Sequence, residues 1–212
     1  MQHLIIIGIG GFAREVYWHA QGSIGYGEDW DIKGFLDGDV KLAPEEYEKL
    51  DRPVLGDVFS YDIQEDDVFI CAVGDGGLRK RLTEPIRTRG GTFINLIHKT
   101  AIIQGHVKMG VGNIFCPRTE ANDHAEIGDF AIFNIGASIG HDTQVGDYVS
   151  FMGVCGLCGY ARADDFSYFS TGACCLPHAV VEHHAVLGVG AVVFKRVKAG
   201  KKVFGNPAFP VE

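Results

Sequence analysis

The stretch IGDFAIFNIGASIGHDTQVGDYVSF, residues 127–151, has an apolar residue at every sixth position. The same register runs without insertion or deletion from Ile103 to Val193. A six-residue repeat is typical of a parallel β-helix, in which each repeat forms one short strand and one corner of a triangular prism. The sequence therefore predicts a solenoid with three repeats per coil and five coils.

Two positions of each repeat have a clear residue preference. The first position is apolar throughout, which suits a side chain that fills the bore of the prism. The residue four places later is small or β-branched in every repeat except at Asn113, which suits a position packed at the bend. After Val193 the period fails, and residues 195–207 are expected to cap the last coil.

The first part of the chain lacks the repeat and alternates strands with helices. Buried strands are expected at Leu4–Ile7, Ile32–Leu36 and Val68–Val73, with a helix at Phe12–Ala20. This order predicts a parallel sheet whose ligand crevice lies at the carboxyl ends of its strands. We expect two domains, an α/β domain over residues 1–97 and the all-β solenoid over residues 98–212.

Composition limits the possible partners and the compartment. The net charge is −8, which argues against a nucleic-acid or anionic-membrane surface. The apolar run at the N-terminus is short and lacks a basic leader, and no apolar segment of 18 residues occurs. These features predict a cytoplasmic protein with no membrane or nucleic-acid partner.

Cysteine spacing offers one weak signal for a metal or redox site. Cys155 and Cys158 form a C-x-x-C motif, which on spacing alone is compatible with half of a zinc site. However, Cys155 occupies a small-residue position of the repeat and Cys175 a bore position. Structural packing is therefore the favoured interpretation.

A glycine-rich turn, Gly8-Ile-Gly-Gly-Phe-Ala13, links the first strand to the first helix. Amides at such a turn and the helix dipole favour an anion. Asp37 ends the second strand and Gly74-Asp75 ends the third, so the three groups should converge on one crevice. The alternative is that the glycines only permit the turn and that the two aspartates are helix caps.

The size of the first domain restricts the nucleotide. A full dinucleotide fold needs two mononucleotide halves, and about 97 residues leave room for one of reduced size. Hydride transfer is therefore not expected. One nucleoside diphosphate with an attached sugar would suit such a half-site.

Histidine is frequent in the repeat region, at positions expected to point outward. His141 differs from the others because Gly140 is expected to leave space beside its ring and Asp142 supplies a carboxylate. A carboxylate can fix the tautomer of a histidine that acts as a general base. Metal binding at His178 and His183-His184 is the competing idea, but adjacent residues of a strand point to opposite faces. The repeat-region histidines are His106, His124, His141, His178, His183 and His184.

Several segments together resemble the bacterial hexapeptide-repeat sugar acyltransferases related to sialic acid O-acetyltransferases and nucleotide-4-amino-sugar N-acetyltransferases. The resemblance extends nearly from end to end, and its motifs are specific as a set. They are Gly8-Ile-Gly-Gly-Phe-Ala-Arg-Glu-Val16, Phe35-Leu-Asp-Gly38, Leu96-Ile-His-Lys-Thr-Ala101, Asn134 through Asp142, and Gly205-Asn-Pro-Ala208.

The resemblance implies a Rossmann-like domain that holds the nucleotide of a sugar substrate, joined to a left-handed parallel β-helix that binds acetyl-CoA. It implies a homotrimer with active sites between subunits. His141 would be the base, with Asp142 as its acidic companion and Asn134 near the same pocket. The implied substrate-binding residues are Gly10, Gly11, Phe12, Asp37, Gly74 and Asp75, and the implied cofactor-binding residues are Gly159, Ser150, Ala179 and Lys195.

The expected reaction is direct acetyl transfer from acetyl-CoA to the C4 amine of a UDP- or dTDP-linked 4-amino-4,6-dideoxy sugar, without a metal. No cysteine lies in a context that favours a nucleophile, so no acyl-enzyme is expected. One alternative is a sugar or sialic acid O-acetyltransferase. A second is a protein that binds nucleotide sugars without catalysis.

Overall fold

The computed structural model describes residues 1–38 and 44–211. The chain divides into two compact units, Met1–Lys99 and Thr100–Glu212. The division falls between Lys99 and Thr100, whereas the sequence placed the boundary between Ile97 and His98.

Unit 1 is an α/β unit built on a parallel five-stranded sheet. The strand order is β3-β2-β1-β4-β5, and all four neighbouring pairs are parallel. The central strands are continuous apolar runs that are buried on both faces, which is typical of parallel sheets. The strands are β1 (Gln2–Ile7), β2 (Trp30–Asp37), β3 (Val54–Asp57), β4 (Asp67–Cys71) and β5 (Thr92–Phe93), followed by the short β6 (Leu96–Ile97). The helices are α1 (Gly11–Gln21), α2 (Pro44–Tyr47) and α3 (Gly76–Thr88).

Unit 2 is a parallel β-helix, which confirms the solenoid predicted from the repeat. Each coil contributes one short strand to each of three faces. The first face contains β7 (Ile102–Ile103), β10 (Glu120–Ala121), β13 (Ser138–Ile139), β16 (Gly156–Leu157), β19 (Cys174–Cys175) and β22 (Val192–Val193). The second face contains β8 (Lys108–Met109), β11 (Glu126–Ile127), β14 (Gln144–Val145), β17 (Arg162–Ala163), β20 (Val180–Val181) and β23 (Arg196–Val197). The third face contains β9 (Ile114–Phe115), β12 (Ile132–Phe133), β15 (Ser150–Phe151), β18 (Tyr168–Phe169), β21 (Val186–Leu187) and β24 (Lys202–Phe204), with β25 (Phe209–Val211) antiparallel to β24.

The bore of the β-helix is filled by the first residue of each repeat. From Phe115 to Val193 every such residue is buried, and only Ile103 and Met109 in the first coil are partly exposed. On the third face four phenylalanines stack through successive coils, with ring centroids 4.6, 5.1 and 4.4 Å apart. These rings and their aliphatic neighbours form the apolar core that holds the coils together.

Asn113, the exception among the small positions, is fully buried and is hydrogen bonded to the next coil. Its Oδ1 accepts from the Ala131 amide at 2.7 Å, and its Nδ2 donates to the Gly128 carbonyl at 3.1 Å. A buried amide is tolerated when its polar atoms are paired, which explains why the pattern can break here.

The coils turn at corners, and from residue 110 onward each four-residue corner contains one residue in a left-handed backbone conformation. The corners that join the first face to the second comprise residues 104–107, 122–125, 140–143, 158–161 and 176–179, and we call this line of corners the His141 edge. Asp142, Tyr160 and His178 occupy equivalent places on this edge, with φ of 56°, 59° and 64°. Successive coils therefore stack these side chains above one another.

The six-residue spacing ends after Val193 as predicted, but β23 and β24 continue the β-helix, so each face has at least six strands and not the five that five coils would give. Arg196 pairs with Val180, so the last corner between the first and second faces is shorter than the corners before it. Among the described residues, no helix is long and apolar enough to cross a membrane.

Candidate functional site

The crevice of unit 1 lies at the carboxyl ends of its central strands. It has a volume of about 260 Å³. Of the residues predicted to bind substrate, it brings together Gly10, Gly11, Phe12, Asp37 and Gly74. The remaining lining is mostly apolar, including Leu78 and Leu82 of α3. An apolar crevice with a few polar groups at its rim suits a ligand that combines a ring with charged groups.

The glycines of the turn between β1 and α1 have different structural roles. Gly8 has a φ of +109°, and a Cβ atom there would lie 3.1 Å from a methyl group of Val73, so the turn itself needs this glycine. A Cβ atom on Gly10 would meet nothing within 4 Å. Gly10 caps α1 without a side chain, and the first turn of the helix has no acidic residue. The positive end of the helix dipole is therefore free to face an anion.

The two aspartates predicted for this site have different surroundings. Asp37 lines the crevice, and its carboxylate accepts hydrogen bonds from the Gly38 amide at 2.6 Å and the Tyr47 hydroxyl at 2.9 Å. Asp75 caps α3 by accepting from the Leu78 amide at 2.7 Å and does not line the crevice. The helix-cap alternative therefore describes the Asp75 side chain.

Arg79 stabilises the backbone that lines the crevice, a role that was not predicted from the sequence. Its side chain is fully buried, and Nη1 donates to the carbonyl oxygens of Val73 at 2.6 Å and Gly74 at 3.1 Å. Arg79 thus holds the segment that follows β4 in place. An arginine on the inward face of a helix was the only sequence signal for this role.

His141 lies on the His141 edge with its ring open to solvent. Its Nδ1 is 2.8 Å from Oδ2 of Asp142, and the two side chains are 58% and 42% exposed. A carboxylate at this distance accepts the proton of Nδ1, which leaves Nε2 of the neutral imidazole as a proton acceptor. The pair has the arrangement that a general base requires.

The space beside the ring comes from Gly159, not from Gly140 as the sequence analysis assumed. A Cβ atom on Gly159 would lie 2.7 Å from Nε2 of His141. A Cβ atom on Gly140 would instead lie 2.5 Å from the Gly159 amide nitrogen. Gly140 therefore lets the next coil approach, and Gly159 leaves room for the imidazole.

The Gly159 amide also has hydrogen-bonding capacity to spare. Its N–H meets no acceptor within the described part of the chain, whereas its carbonyl accepts from the His178 amide at 3.2 Å. The adjacent Tyr160 amide donates to the His141 carbonyl at 3.0 Å, which keeps this loop next to the histidine. A free N–H beside Nε2 is suited to bind an oxygen atom of a ligand.

Tyr160 supports the imidazole and was missed by the sequence analysis. Its ring meets the His141 ring edge-on, with centroids 5.1 Å apart and an interplanar angle of 87°. Its other side stacks on His178 at 5.0 Å and 6°. The three residues belong to successive coils, so spacings near 18 residues were the signal that could have indicated this contact.

The other residues predicted around the acyl donor are spread over the β-helix. The Asn134 side chain accepts from the Ile135 amide at 2.6 Å, one corner before His141. Ser150 lies in β15 on the third face and is 1% exposed. Ala179 is buried on the His141 edge, so only its backbone can face a ligand, and Lys195 is exposed after β22.

The cysteines are free thiols, and several are poorly suited to act as nucleophiles. Burial raises the pKa of Cys71 to about 12 and that of Cys155 to about 11. Burial also raises the pKa of Cys174 and Cys175. The Cys155 thiol donates to the carbonyl of Ser170, 3.0 Å away, and the Cys158 thiol interacts with the thiol of Cys174. The preference for structural packing at Cys155 agrees with this burial.

Comparison with known proteins places the chain in a group of sugar-modifying enzymes. Residues 3–86 match the family described as the PglD N-terminal domain. A GDP-perosamine N-acetyltransferase of Escherichia coli O157:H7 is 34% identical over 146 residues. That alignment spans 66% of this chain and 66% of the enzyme, just under two thirds of its length.

Two solved structures extend the similarity over the whole chain. The acetyltransferase domain of PglB from Neisseria gonorrhoeae, in complex with acetyl coenzyme A, is 28% identical with a TM-score of 0.87, and 99% of each chain is covered. PerB from Caulobacter crescentus, in complex with CoA and GDP-perosamine, is 26% identical with a TM-score of 0.88 over 100% of this chain and 98% of that one. In its α/β unit and its β-helix, the chain is therefore similar to hexapeptide-repeat sugar acetyltransferases.

Proposed function

We propose that this protein transfers the acetyl group of acetyl-CoA to an amine of a nucleotide-linked amino sugar, with His141 as the general base. The observation that carries the proposal is the His141–Asp142 pair, whose free Nε2 faces the space left by Gly159. The relatives support the reaction class, since one is named as an N-acetyltransferase and others bind CoA or acetyl-CoA.

In the proposed step Nε2 of His141 accepts a proton as the sugar amine attacks the thioester carbonyl. The Asp142 carboxylate stabilises the imidazolium that forms. The Gly159 N–H donates to the oxyanion of the tetrahedral intermediate, which then collapses and expels the CoA thiolate. The proposed transfer is direct, and the raised pKa of the buried Cys155 and Cys175 thiols argues against an acyl-cysteine intermediate at these two residues.

The crevice of unit 1 is the proposed site for the nucleotide. The N-terminus of α1 would face the diphosphate, and Asp37 would accept a hydrogen bond from the ribose or the base. The sequence favoured a UDP- or dTDP-linked 4-amino-4,6-dideoxy sugar acetylated at C4. Two of the relatives act on or bind GDP-perosamine, so the proposal covers the class of nucleotide-linked amino sugars and includes GDP-linked ones.

Assembly and compartment are also proposed. The resemblance to the family favours a homotrimer in which neighbouring β-helices share the acetyl-CoA sites. The cytoplasm, which supplies acetyl-CoA, is the proposed compartment.

The proposal is tested by measuring the release of CoA thiol with a panel of acceptors. The panel contains GDP-perosamine, UDP- and dTDP-4-amino-4,6-dideoxyhexoses, and free sialic acid. Turnover with an amino sugar, and a fall of roughly 10²–10⁴-fold in kcat for His141→Ala, are expected. An unchanged rate in His141→Ala would remove the proposed base.

O-acetylation is the second candidate function. It is favoured by a 32% identity over 93 residues with an acyl-[acyl-carrier-protein]--UDP-N-acetylglucosamine O-acyltransferase of Pseudomonas aeruginosa, although that alignment spans 36% of that enzyme. Thiol release with hydroxy sugars and not with amino sugars would favour this candidate. Binding of nucleotide sugars without thiol release from any acceptor would instead indicate a non-catalytic protein.

A further inference from the structure

Three side chains at the start of the His141 edge converge on a common point. Nδ1 of His106 lies 2.7 Å from Oδ1 of Asp123, and Nδ1 of His124 lies 2.9 Å from Oδ2 of the same carboxylate. One potential ligand atom from each residue lies within 4.8 Å of the others. His106 and His124 are one coil apart, and their rings are 4.7 Å apart at 37°. We call this group the His106 cluster.

The cluster has the donor set of a first-row transition-metal site. Imidazole nitrogen and carboxylate oxygen are both good ligands for Zn²⁺, whereas Ca²⁺ and Mg²⁺ prefer oxygen alone. Around a tetrahedral Zn²⁺ with bonds near 2.0–2.2 Å, neighbouring ligand atoms lie about 3.3 Å apart. The two distances from Nδ1 to the carboxylate are already slightly shorter than this, and no separation within the group exceeds 4.8 Å, so small side-chain movements would suffice. Their side chains are 70%, 45% and 61% exposed and have room to do so.

Both imidazoles can present Nδ1 to a metal without losing a proton to solvent. In the neutral form each ring carries one proton, which now lies between Nδ1 and the Asp123 carboxylate. If that proton moves to Nε2, the lone pair of Nδ1 becomes available for coordination. The Asp123 carboxylate supplies negative charge beside both Nδ1 atoms, which favours a divalent ion.

We propose that His106, Asp123 and His124 form a binding site for one zinc-class divalent ion, with the remaining coordination positions open to water. The ion links the first and second coils at the exposed edge of the β-helix. The Asp142 amide donates to the Asp123 carbonyl at 3.0 Å, so the ion also lies one coil before the His141–Asp142 pair. This site is independent of the proposed acetyl transfer.

The other histidine-rich part of the β-helix lacks this convergence. His183 and His184 are neighbours in sequence, and their rings lie 5.6 Å apart at 85°. Within the described residues, the His106 cluster is the one group of three or more histidine, cysteine or acidic side chains with ligand atoms close enough to share an ion. His183→Gln is therefore a matched control, because it removes an exposed histidine outside the cluster.

The test uses the full chain without an affinity tag and titrates it with Co²⁺ and then Zn²⁺. We expect visible d–d bands from one Co²⁺ per chain, displaced by Zn²⁺, and a rise in Tm with Zn²⁺. His106→Gln, His124→Gln and Asp123→Asn should each weaken binding by about tenfold or more and reduce the rise in Tm, whereas His183→Gln should change neither. Binding should also fall at pH 5.5, where protons compete for imidazole.

Three results would overturn the proposal. They are the absence of Co²⁺ binding at micromolar concentrations, binding that persists in His106→Gln and Asp123→Asn, and intense near-ultraviolet thiolate bands that place the metal on cysteine. All readouts are spectroscopic or thermal, so a failure here leaves the proposed acetyl transfer untouched. Thermal unfolding of the metal-free variants separates a lost site from a lost fold.

Discussion

Gly159 and His141 fit against each other across two coils: a Cβ atom on residue 159 would lie 2.7 Å from Nε2 and 2.8 Å from Cε1 of the imidazole. Gly159 has no positive φ, so alanine suits its backbone, and the nearest conflict is with the histidine ring. We expect Gly159→Ala to push the ring aside and lower kcat by roughly tenfold or more, because a displaced base no longer reaches the amine. Steady-state thiol release measures the effect.

Gly153→Ala is the control for this prediction. Gly153 holds the same position in its own repeat, on a different edge, and a Cβ atom there would come no closer than 3.7 Å to the Ile135 carbonyl oxygen. The turnover of Gly153→Ala should match that of the unmodified protein. Gly153→Ala and Gly159→Ala should unfold at nearly the same temperature. Full activity in Gly159→Ala would show that the ring need not occupy its observed position.

Asp142→Asn isolates the charge beside the base. Asp142 has a φ of 56°, and asparagine tolerates this left-handed conformation about as well as aspartate. The amide oxygen can still accept the Nδ1 proton, but the charge that stabilises imidazolium is lost. We expect kcat to fall by at least roughly tenfold while KM changes little. Equal turnover in Asp142→Asn would mean that the carboxylate only orients the ring.

Tyr160 is predicted to be a positioning residue. Its ring separates His141 from His178, with the contact to His141 edge-on at 5.1 Å. We expect Tyr160→Ala to lower kcat several-fold with KM for acetyl-CoA nearly unchanged, and Tyr160→Phe to restore the rate, because the contact is made by the ring. A parallel loss of activity in Tyr160→Phe would instead assign a role to the hydroxyl.

The repeat allowed the β-helix to be predicted residue by residue, because a six-residue period leaves little freedom in which side chains face the bore. The crevice of unit 1 was also predictable, since parallel strands end at one edge and Gly10, Asp37 and Gly74 follow three of them. His141 and Asp142 are adjacent in sequence, so their pairing needed no long-range information.

Contacts between coils could not be read from the six-residue period alone. Tyr160 touches His141, and His106 meets Asp123 and His124, because residues about 18 positions apart stack along one edge. The same stacking explains why Gly159 and not Gly140 makes room for the imidazole. Arg79 gave no signal of this kind, since its role depends on the packing of α3 against the segment that follows β4.

The crevice of unit 1 is tested by Asp37→Asn. Asparagine can still accept from the Gly38 amide through its Oδ1, and its Nδ2 can donate to the oxygen of the Tyr47 hydroxyl, so the fold should be retained. We expect the affinity for the nucleotide sugar to fall by about tenfold, because the charged acceptor for a ribose or base donor is lost. Isothermal titration with the nucleotide sugar measures this change.

Glu28→Gln is the control for the crevice. Glu28 is exposed and lies before β2 begins, at the opposite end of that strand from Asp37. The affinity of Glu28→Gln for the nucleotide sugar should equal that of the unmodified protein. If both variants bind alike, the nucleotide does not use the Asp37 carboxylate.

His19 and His98 are expected to make unit 1 less stable at acidic pH. Their ring centroids are 6.3 Å apart, and no hydrogen-bond partner is found for the buried Nε2 of His19 within the described residues. Burial, and then the charge of His98, lowers the pKa of His19 below 6.5. Burial, and then Lys99, lowers that of His98. The unfolded chain therefore binds these protons more readily than the folded one.

The sign of the effect follows from this difference. Well above pH 6.5 the two histidines are neutral in both the folded and the unfolded protein, and their contribution to the free energy of unfolding is complete. This contribution is lost as the pH falls from about 6.5 towards the lower pKa values of the folded protein. We expect the Tm to drop on going from pH 7.5 to 5.5, and the drop to be smaller by on the order of a few degrees in the double variant His19→Gln/His98→Gln. Calorimetry at the two pH values measures the change in Tm. His183→Gln, which replaces an exposed histidine, is the control. An equal drop in the double variant and the unmodified protein would assign the acid sensitivity to other groups.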